Sequence, residues 1–242
     1  MENLNIALIG CGMIGREHIE RIQNRIRNAK VVAVCDVFEE GAKKGAEIAG
    51  AGTKVYTDFN EAINDPDVNA VVVTTPGQFH KGPVLAAIKA GKPVFSEKPL
   101  ANTAADGKEI VEAEMAGGKP LVQVGFMRRY DRGYAEMKRI IDSGELGAPL
   151  MIHACHRNVS QPDGFQTEMG VSNVAIHELD ICRWLLGDEY ESAQVLKVRQ
   201  SACSTKGYDN PQIVLLETKS GARIDVEVQV ADAYGYDIQC QV

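Results

Sequence analysis

Apolar residues in the first half of the chain fall in short unbroken runs. Ile6-Ala7-Leu8-Ile9, Val31-Val32-Ala33-Val34-Cys35, Ala70-Val71-Val72-Val73-Thr74, Val94-Phe95-Ser96 and Leu121-Val122-Gln123-Val124 have the length and β-branched content of strands buried on both faces. Between them, residues 13–28, 41–49, 59–63, 80–90 and 103–116 carry mixed polar and apolar positions and read as helices. Gly91 and Gly117-Gly118 act as stops, and Val55-Tyr56 is a further short strand. Strand and helix in regular alternation predict a doubly wound parallel sheet over residues 1–126, an α/β unit. After a helix at 133–142 the pattern changes. Residues 151–157, 192–201, 212–218, 223–230 and 236–242 read as strands, and one clear helix, 177–186, interrupts them. Arg223-Ile224-Asp225-Val226-Glu227-Val228-Gln229-Val230 alternates with period two, as in a sheet covered on one face. Residues 127–242 are therefore expected to form an α+β domain with a mainly antiparallel, open sheet. Gln239-Cys240-Gln241-Val242 stops in the middle of an apparent strand, which points to a shortened chain.

The turn after the first strand is Gly10-Cys11-Gly12-Met13-Ile14-Gly15. Gly10 permits the tight turn, Gly12 lets backbone approach a pyrophosphate, and Gly15 lets the helix pack closely on the strand. The free amides of the first helical turn, at Met13 and Ile14, then face the phosphates, where the helix dipole favours negative charge. Asp36 ends the second strand about 20 residues further on, completing the Rossmann dinucleotide fingerprint. Its carboxylate suits the adenosine ribose hydroxyls and repels a 2′-phosphate, and Val37-Phe38 offers no Arg to receive one, so NAD is favoured over NADP. The other reading of Asp36 is a loop cap.

In such sheets ligands bind beyond the carboxyl ends of the strands, so Thr74, Thr75, Pro76 and His80 are expected to face the cofactor. Ser96-Glu97-Lys98-Pro99 ends the next strand. It reads either as a charged pair turned to that site or as a solvated turn closed by proline. In the second segment, His177 and Asp180 lie three apart and share one helical face. Either the imidazole serves as a proton acceptor or the two make a structural contact at a helix start. His153, His156 and His177 lack metal-ligand spacing, so no metal is expected.

Composition narrows the picture further. The 242 residues carry a net charge of −7, with no basic stripe for nucleic acid. No run of 18 apolar residues exists, so no membrane span is expected. The N-terminus enters a strand without a basic leader. The six cysteines (Cys11, Cys35, Cys155, Cys182, Cys203, Cys240) form no C-x-x-C pair, and a reducing, cytoplasmic setting follows.

Thr75-Pro76, His80, Ala90-Gly91-Lys92-Pro93-Val94, Glu97-Lys98-Pro99 and His177-Glu178-Leu179-Asp180 together resemble the glucose–fructose oxidoreductase / inositol dehydrogenase / rhizopine catabolism (Gfo/Idh/MocA) family. Val124-Gly125-Phe126-Met127-Arg128-Arg129-Tyr130-Asp131, His156-Arg157-Asn158 and 234–240 are similar to its inositol-oxidising branch. The resemblance spans the whole chain. It implies NAD-dependent oxidation of one ring carbinol of a cyclic polyol, foremost myo-inositol to its 2-keto product (scyllo-inosose). Glu97 would belong to the cofactor site, Lys98 would reach the substrate, and His177 would be the catalytic base, paired with a carboxylate four residues earlier. That position holds Asn173 here, which can orient a hydroxyl or an imidazole but cannot stabilise an imidazolium as a carboxylate does. Arg128, His156 and Tyr236 are candidates for gripping the remaining hydroxyls. Homo-oligomers, tetramers or dimers joined through the open sheet, are also implied. The competing readings are a related sugar or polyol dehydrogenase and a catalytically impaired NAD-binding protein.

Overall fold

The apolar runs become the centre of a six-stranded, wholly parallel sheet in a computed structural model that describes residues 3–161, 163–201 and 207–242. The chain divides into two units, Met1–Gly125 and Phe126–Val242. In the first unit the elements alternate as β1 (Leu4–Ile9), α1 (Met13–Arg25), β2 (Ala29–Cys35), α2 (Glu39–Ala49), β3 (Lys54–Tyr56) and α3 (Phe59–Asn64). They continue with β4 (Ala70–Val73), α4 (Lys81–Lys89), β5 (Val94–Ser96), α5 (Ala104–Ala116) and β6 (Val122–Val124). The strand order is β3-β2-β1-β4-β5-β6, so the winding reverses between β1 and β4.

Period-two alternation sends side chains of one strand to opposite faces of the sheet. Ile6 and Leu8 pack with Ile19 and Ile22 of α1 and Ala42 and Ala49 of α2. Ala7 and Ile9 pack with Ala62 and Ile63 of α3, Val84 and Ala87 of α4, and Ile110 of α5. Helix α1 is shorter than the pattern predicts. Asn28 takes a left-handed φ of 61°, and its carbonyl accepts the Leu4 N–H at 2.8 Å, so the chain has already turned towards β2. Side-chain caps set two other starts. The Asp58 carboxylate accepts from Asn60 N at 2.7 Å, and the Thr103 hydroxyl accepts from Asp106 N at 3.1 Å, each satisfying an amide that the first turn leaves open.

The second unit opens with a 3₁₀ turn at Met127–Tyr130, then α6 (Arg132–Ser143) and β7 (Met151–Arg157). A π-helical turn, Gly170–Ala175, runs directly into α7 (Ile176–Leu186), followed by β8 (Tyr190–Lys197), β9 (Gln212–Thr218), β10 (Arg223–Gln229) and β11 (Asp237–Gln241). The strand order is β11-β7-β10-β9-β8. Three of the four pairings are antiparallel, while β7 and β10 run parallel with Ile152 opposite Ile224. One face carries Ile152, Val214, Leu216, Ile224, Val226 and Val228 against Ile181, Cys182 and Leu185 of α7. The other face is more open, with Leu215 exposed.

The strand expected at 192–201 lies at 190–197. Its start is anchored by the Tyr190 hydroxyl, which donates to the Leu179 carbonyl at 2.7 Å. Of the cysteines, Cys203 lies outside the described residues. The other five are free thiols, four of them buried. Burial beside Asp36 pushes both Cys11 and Cys35 up to about 12, which keeps these thiols protonated and inert. Among the described residues, no helix is long and apolar enough to cross a membrane.

Candidate active site

The glycine turn sits at the carboxyl end of β1, next to the point where the sheet reverses. Gly10 has φ +99°, and a Cβ there would meet the Thr75 amide nitrogen at 2.6 Å. A Cβ on Gly15 would collide with the Gly10 carbonyl oxygen. Gly12 is different: a Cβ there would meet nothing within 4 Å, so open space lies before the first turn of α1. That turn has no side-chain cap and no acidic residue, and Met13 and Ile14 are exposed. Its amides are thus left for an anion, as a pyrophosphate requires.

Asp36 closes one side of this space. Its carboxylate accepts from Cys11 N at 2.8 Å and from Phe38 N at 3.0 Å. It is therefore a loop cap, and those same bonds hold it beside the glycine turn, where a ribose would lie. Val37 and Phe38 beyond it are exposed and bring no cation for a 2′-phosphate. The Thr75 hydroxyl is buried and has no hydrogen-bond partner among the described residues. These features fit NAD. Replacing Asp36 by serine is expected to weaken NAD and relax the choice towards NADP by on the order of tenfold, read from the ratio of kcat/KM for the two cofactors.

Other residues expected to face the cofactor have partners within the protein. The Thr74 hydroxyl donates to the Gly10 carbonyl at 2.7 Å and so braces the turn. Pro76 is exposed. His80 is 1% exposed, with Nε2 2.7 Å from the Thr75 carbonyl and Nδ1 2.6 Å from the Pro99 carbonyl, so neither ring nitrogen is left to bond a cofactor. Glu97 does not lie in a solvated turn. Its Oε1 is 2.9 Å from His18 Nε2 on α1, and its Oε2 accepts weakly from Lys98 N at 3.3 Å. Burial by itself would raise this carboxyl, but the His18 bond and charge, with the Lys98 amide and ammonium, outweigh it and hold the pKa below the usual range. Lys98 follows directly and is half-buried.

In the second unit the chemistry collects around α7. His177 is 7% exposed, and its ring centroid lies 6.0 Å from that of His156 on β7. Tyr236 stands edge-on to His156 at 6.1 Å. Beneath them Glu178, 1% exposed, receives both Arg128 and His156. Arg128 Nη1 donates to Glu178 Oε1, and His156 Nδ1 is 2.9 Å from Glu178 Oε2. The guanidinium Nη2, at 3.2 Å from His156 Nδ1, has only protons to offer, and the carboxylate is nearer. Nδ1 therefore carries the proton and donates to Glu178, which leaves Nε2 as the acceptor nitrogen. Arg128 is thus engaged in a buried pair, while His156 keeps one lone pair for a hydroxyl. Asn173 is exposed on the π-helical turn, and its Oδ1 accepts from the Ser172 hydroxyl at 3.1 Å.

Asp180, which shares a helical face with His177, is engaged by a second partner. It forms a two-pronged pair with Arg129, with Nε at 2.8 Å. The sequence reading missed Glu178. The signal was present: Val174, Glu178, Ile181, Cys182 and Leu185 follow helical spacing, and all five are buried. A carboxylate on that stripe needs a buried cation, and Arg128 supplies it. Among the described residues, no group of three or more His, Cys, Asp or Glu is placed to hold a metal ion.

A glycine turn, an uncapped helix start and an acid at the end of β2 define an NAD-binding oxidoreductase of the Rossmann type. Residues 4–126 match the oxidoreductase family with an NAD-binding Rossmann fold, and residues 134–242 match the GFO/IDH/MocA C-terminal domain, so the chain belongs to this family. Over 239 residues it is 54% identical to an inositol 2-dehydrogenase of Azotobacter vinelandii, covering 99% of this chain and 71% of that protein. It is 52% identical to the inositol 2-dehydrogenase of Pseudomonas fluorescens, with the same two coverages. Its fold matches the crystal structure of myo-inositol dehydrogenase from Lactobacillus casei in complex with NAD(H) and myo-inositol. The TM-score is 0.95 and the identity 40%, covering 98% of this chain and 70% of that one.

Proposed function

We propose that this protein oxidises a ring carbinol of a cyclic polyol, myo-inositol to 2-keto-myo-inositol, using NAD. The observation that carries this reading is the match, over 98% of the chain, to a myo-inositol dehydrogenase structure holding NAD(H) and myo-inositol. The polar makeup of the second unit agrees with it. His156 Nε2 and the Tyr236 hydroxyl suit a ligand that offers hydroxyl groups, and the Arg128–Glu178 pair holds His156 in the required tautomer.

In this reading Gly10, Gly12, Met13, Ile14 and Gly15 receive the pyrophosphate, and Asp36 receives the adenosine ribose. Thr74, His80 and Glu97 act through the loops they brace. NAD, when bound, supplies the hydride acceptor. His177 takes the proton of the reacting hydroxyl, and Asn173 orients that hydroxyl or the imidazole. Lys98, as an ammonium, donates to the oxygen while negative charge develops on it. The carbinol loses a hydride and a proton and becomes a ketone.

Lys98→Ala is expected to lower kcat on the order of 10²–10³-fold, as loss of a donor to a developing oxyanion does, with NAD affinity little changed. The test is absorbance in the NADH band with saturating NAD and myo-inositol. Undiminished turnover by the variant would remove Lys98 from its role. A panel of inositols, pyranoses and open-chain polyols tests the substrate, and preference for a pyranose would favour a related sugar dehydrogenase. Tight NAD binding with no reduction by any polyol would instead mark a catalytically impaired NAD-binding protein. The free cysteines accord with a cytoplasmic setting, and the half-open face around Leu215 with association of chains through the second sheet.

A further inference from the structure

We propose that His80 is a positioning residue that sets the Lys98 turn, its ring clamping two strand-end loops together. This assignment rests on the reading of Lys98 given above. The ring belongs to the residue that opens α4 and is 1% exposed. Its two nitrogens meet the backbone carbonyls of Thr75 at 2.7 Å and Pro99 at 2.6 Å. A carbonyl oxygen has no proton to give, so a ring nitrogen bonded to one has to donate. A neutral imidazole has one N–H and would set a lone pair against one of the two oxygens. The N–H is assigned to Nδ1, whose contact with the Pro99 carbonyl is the shorter of the two.

The two carbonyls belong to different loops. Thr75 follows β4 in the loop that packs on Gly10, and Pro99 is the residue directly after Lys98. These loops also touch at Gly77, where a Cβ would lie 3.0 Å from Asn102 Oδ1 and 3.1 Å from the Pro99 ring. Packing thus brings the loops side by side, while His80 fixes the plane of the peptide that follows Pro99. The proposed work of His80 is to transmit the position of α4 to the Lys98 backbone, without itself touching cofactor or substrate.

Two variants separate the two bonds. A Gln amide nitrogen can take the place of Nε2 and an Asn amide nitrogen the place of Nδ1, so His80→Gln keeps the Thr75 bond and His80→Asn keeps the Pro99 bond. The expected result is a kcat loss on the order of 10- to 100-fold for His80→Gln, as small displacements of a reacting group produce. His80→Asn should stay nearest the native value, and NAD affinity, measured by calorimetry, should change by less than about twofold in both. Equal kcat losses in the two variants, or losses that track NAD affinity, would overturn the assignment.

The same pair is made in the Asn173→Asp background, so that weak turnover of the native chain does not hide the comparison. A second readout needs neither turnover nor a folded variant. In the native protein with labelled histidine, the assigned resonances of the His80 ring should show a proton on Nδ1, with and without NAD. A bare Nδ1 on that ring would overturn the clamp even if the proposed reaction is observed, and a protonated Nδ1 would uphold it even if it is not.

Discussion

Asn173→Asp is expected to raise turnover of myo-inositol on the order of 10²–10⁴-fold, the range that a working general base contributes. In the proposed reaction His177 takes the hydroxyl proton and becomes an imidazolium, and the residue is only 7% exposed. Little water reaches it to stabilise that charge, so the charge of its partner matters more than it would at the surface. The family resemblance puts a carboxylate four residues earlier, and this chain has an amide there. An amide offers a dipole in place of a full charge, and the difference is felt only once the proton has moved. The gain should therefore appear in kcat with KM little altered, the signature of an interaction made chiefly in the transition state. Steady-state kinetics of the two proteins side by side decide this. A native chain that turns over within about threefold of Asn173→Asp would show that the His177 partner is not limiting.

Glu178→Ala should cost the second unit about 3–5 kcal/mol, because it leaves the buried guanidinium of Arg128 without its counter-charge. For a unit of this size that corresponds to a fall in melting temperature of more than about 10 °C. The loss has a chemical side as well. Without the carboxylate, nothing holds the His156 proton on Nδ1, and Nε2 is no longer reserved as an acceptor. The double replacement Arg128→Met with Glu178→Leu separates the two effects. It removes both charges from the buried site and should recover most of the stability, since apolar residues can substitute for a buried pair. Polyol affinity should stay low. Thermal unfolding and inositol binding measured on the same preparations provide the check. A Glu178→Ala protein as stable as the native one would mean that the pair is hydrated and not buried.

Much of the fold was legible because it depends on local rules. Runs such as Ala70–Val73 report burial on both faces of a parallel strand, and their spacing fits the right-handed crossovers that place helices on either side. The role of Gly10 could be read from its place in the turn, since only glycine accepts φ +99° with a neighbouring backbone so near. Errors came at edges. Helix α1 stops at Arg25 because Ile26 is already extended and the chain turns at Asn28, and β8 starts at Tyr190, whose hydroxyl anchors it to α7. The π-helical turn before α7, which carries Asn173, left no pattern distinct from an ordinary helix start.

What the sequence by itself determined is the inventory: a parallel sheet with a dinucleotide turn, an acid at the end of β2, a lysine after β5 and a histidine opening α7. These follow from backbone conformation and from burial period, both set by near neighbours along the chain. Only the tertiary structure decided which polar groups share a partner. Glu178 meets Arg128 from 50 residues away and His156 from 22, Asp180 takes Arg129 from 51, and His80 sets both nitrogens against loop carbonyls. The reason is that a buried polar group must find a complement wherever packing brings one. Packing is set by apolar surfaces distant in sequence, which carry no local mark of the polar pair they enclose.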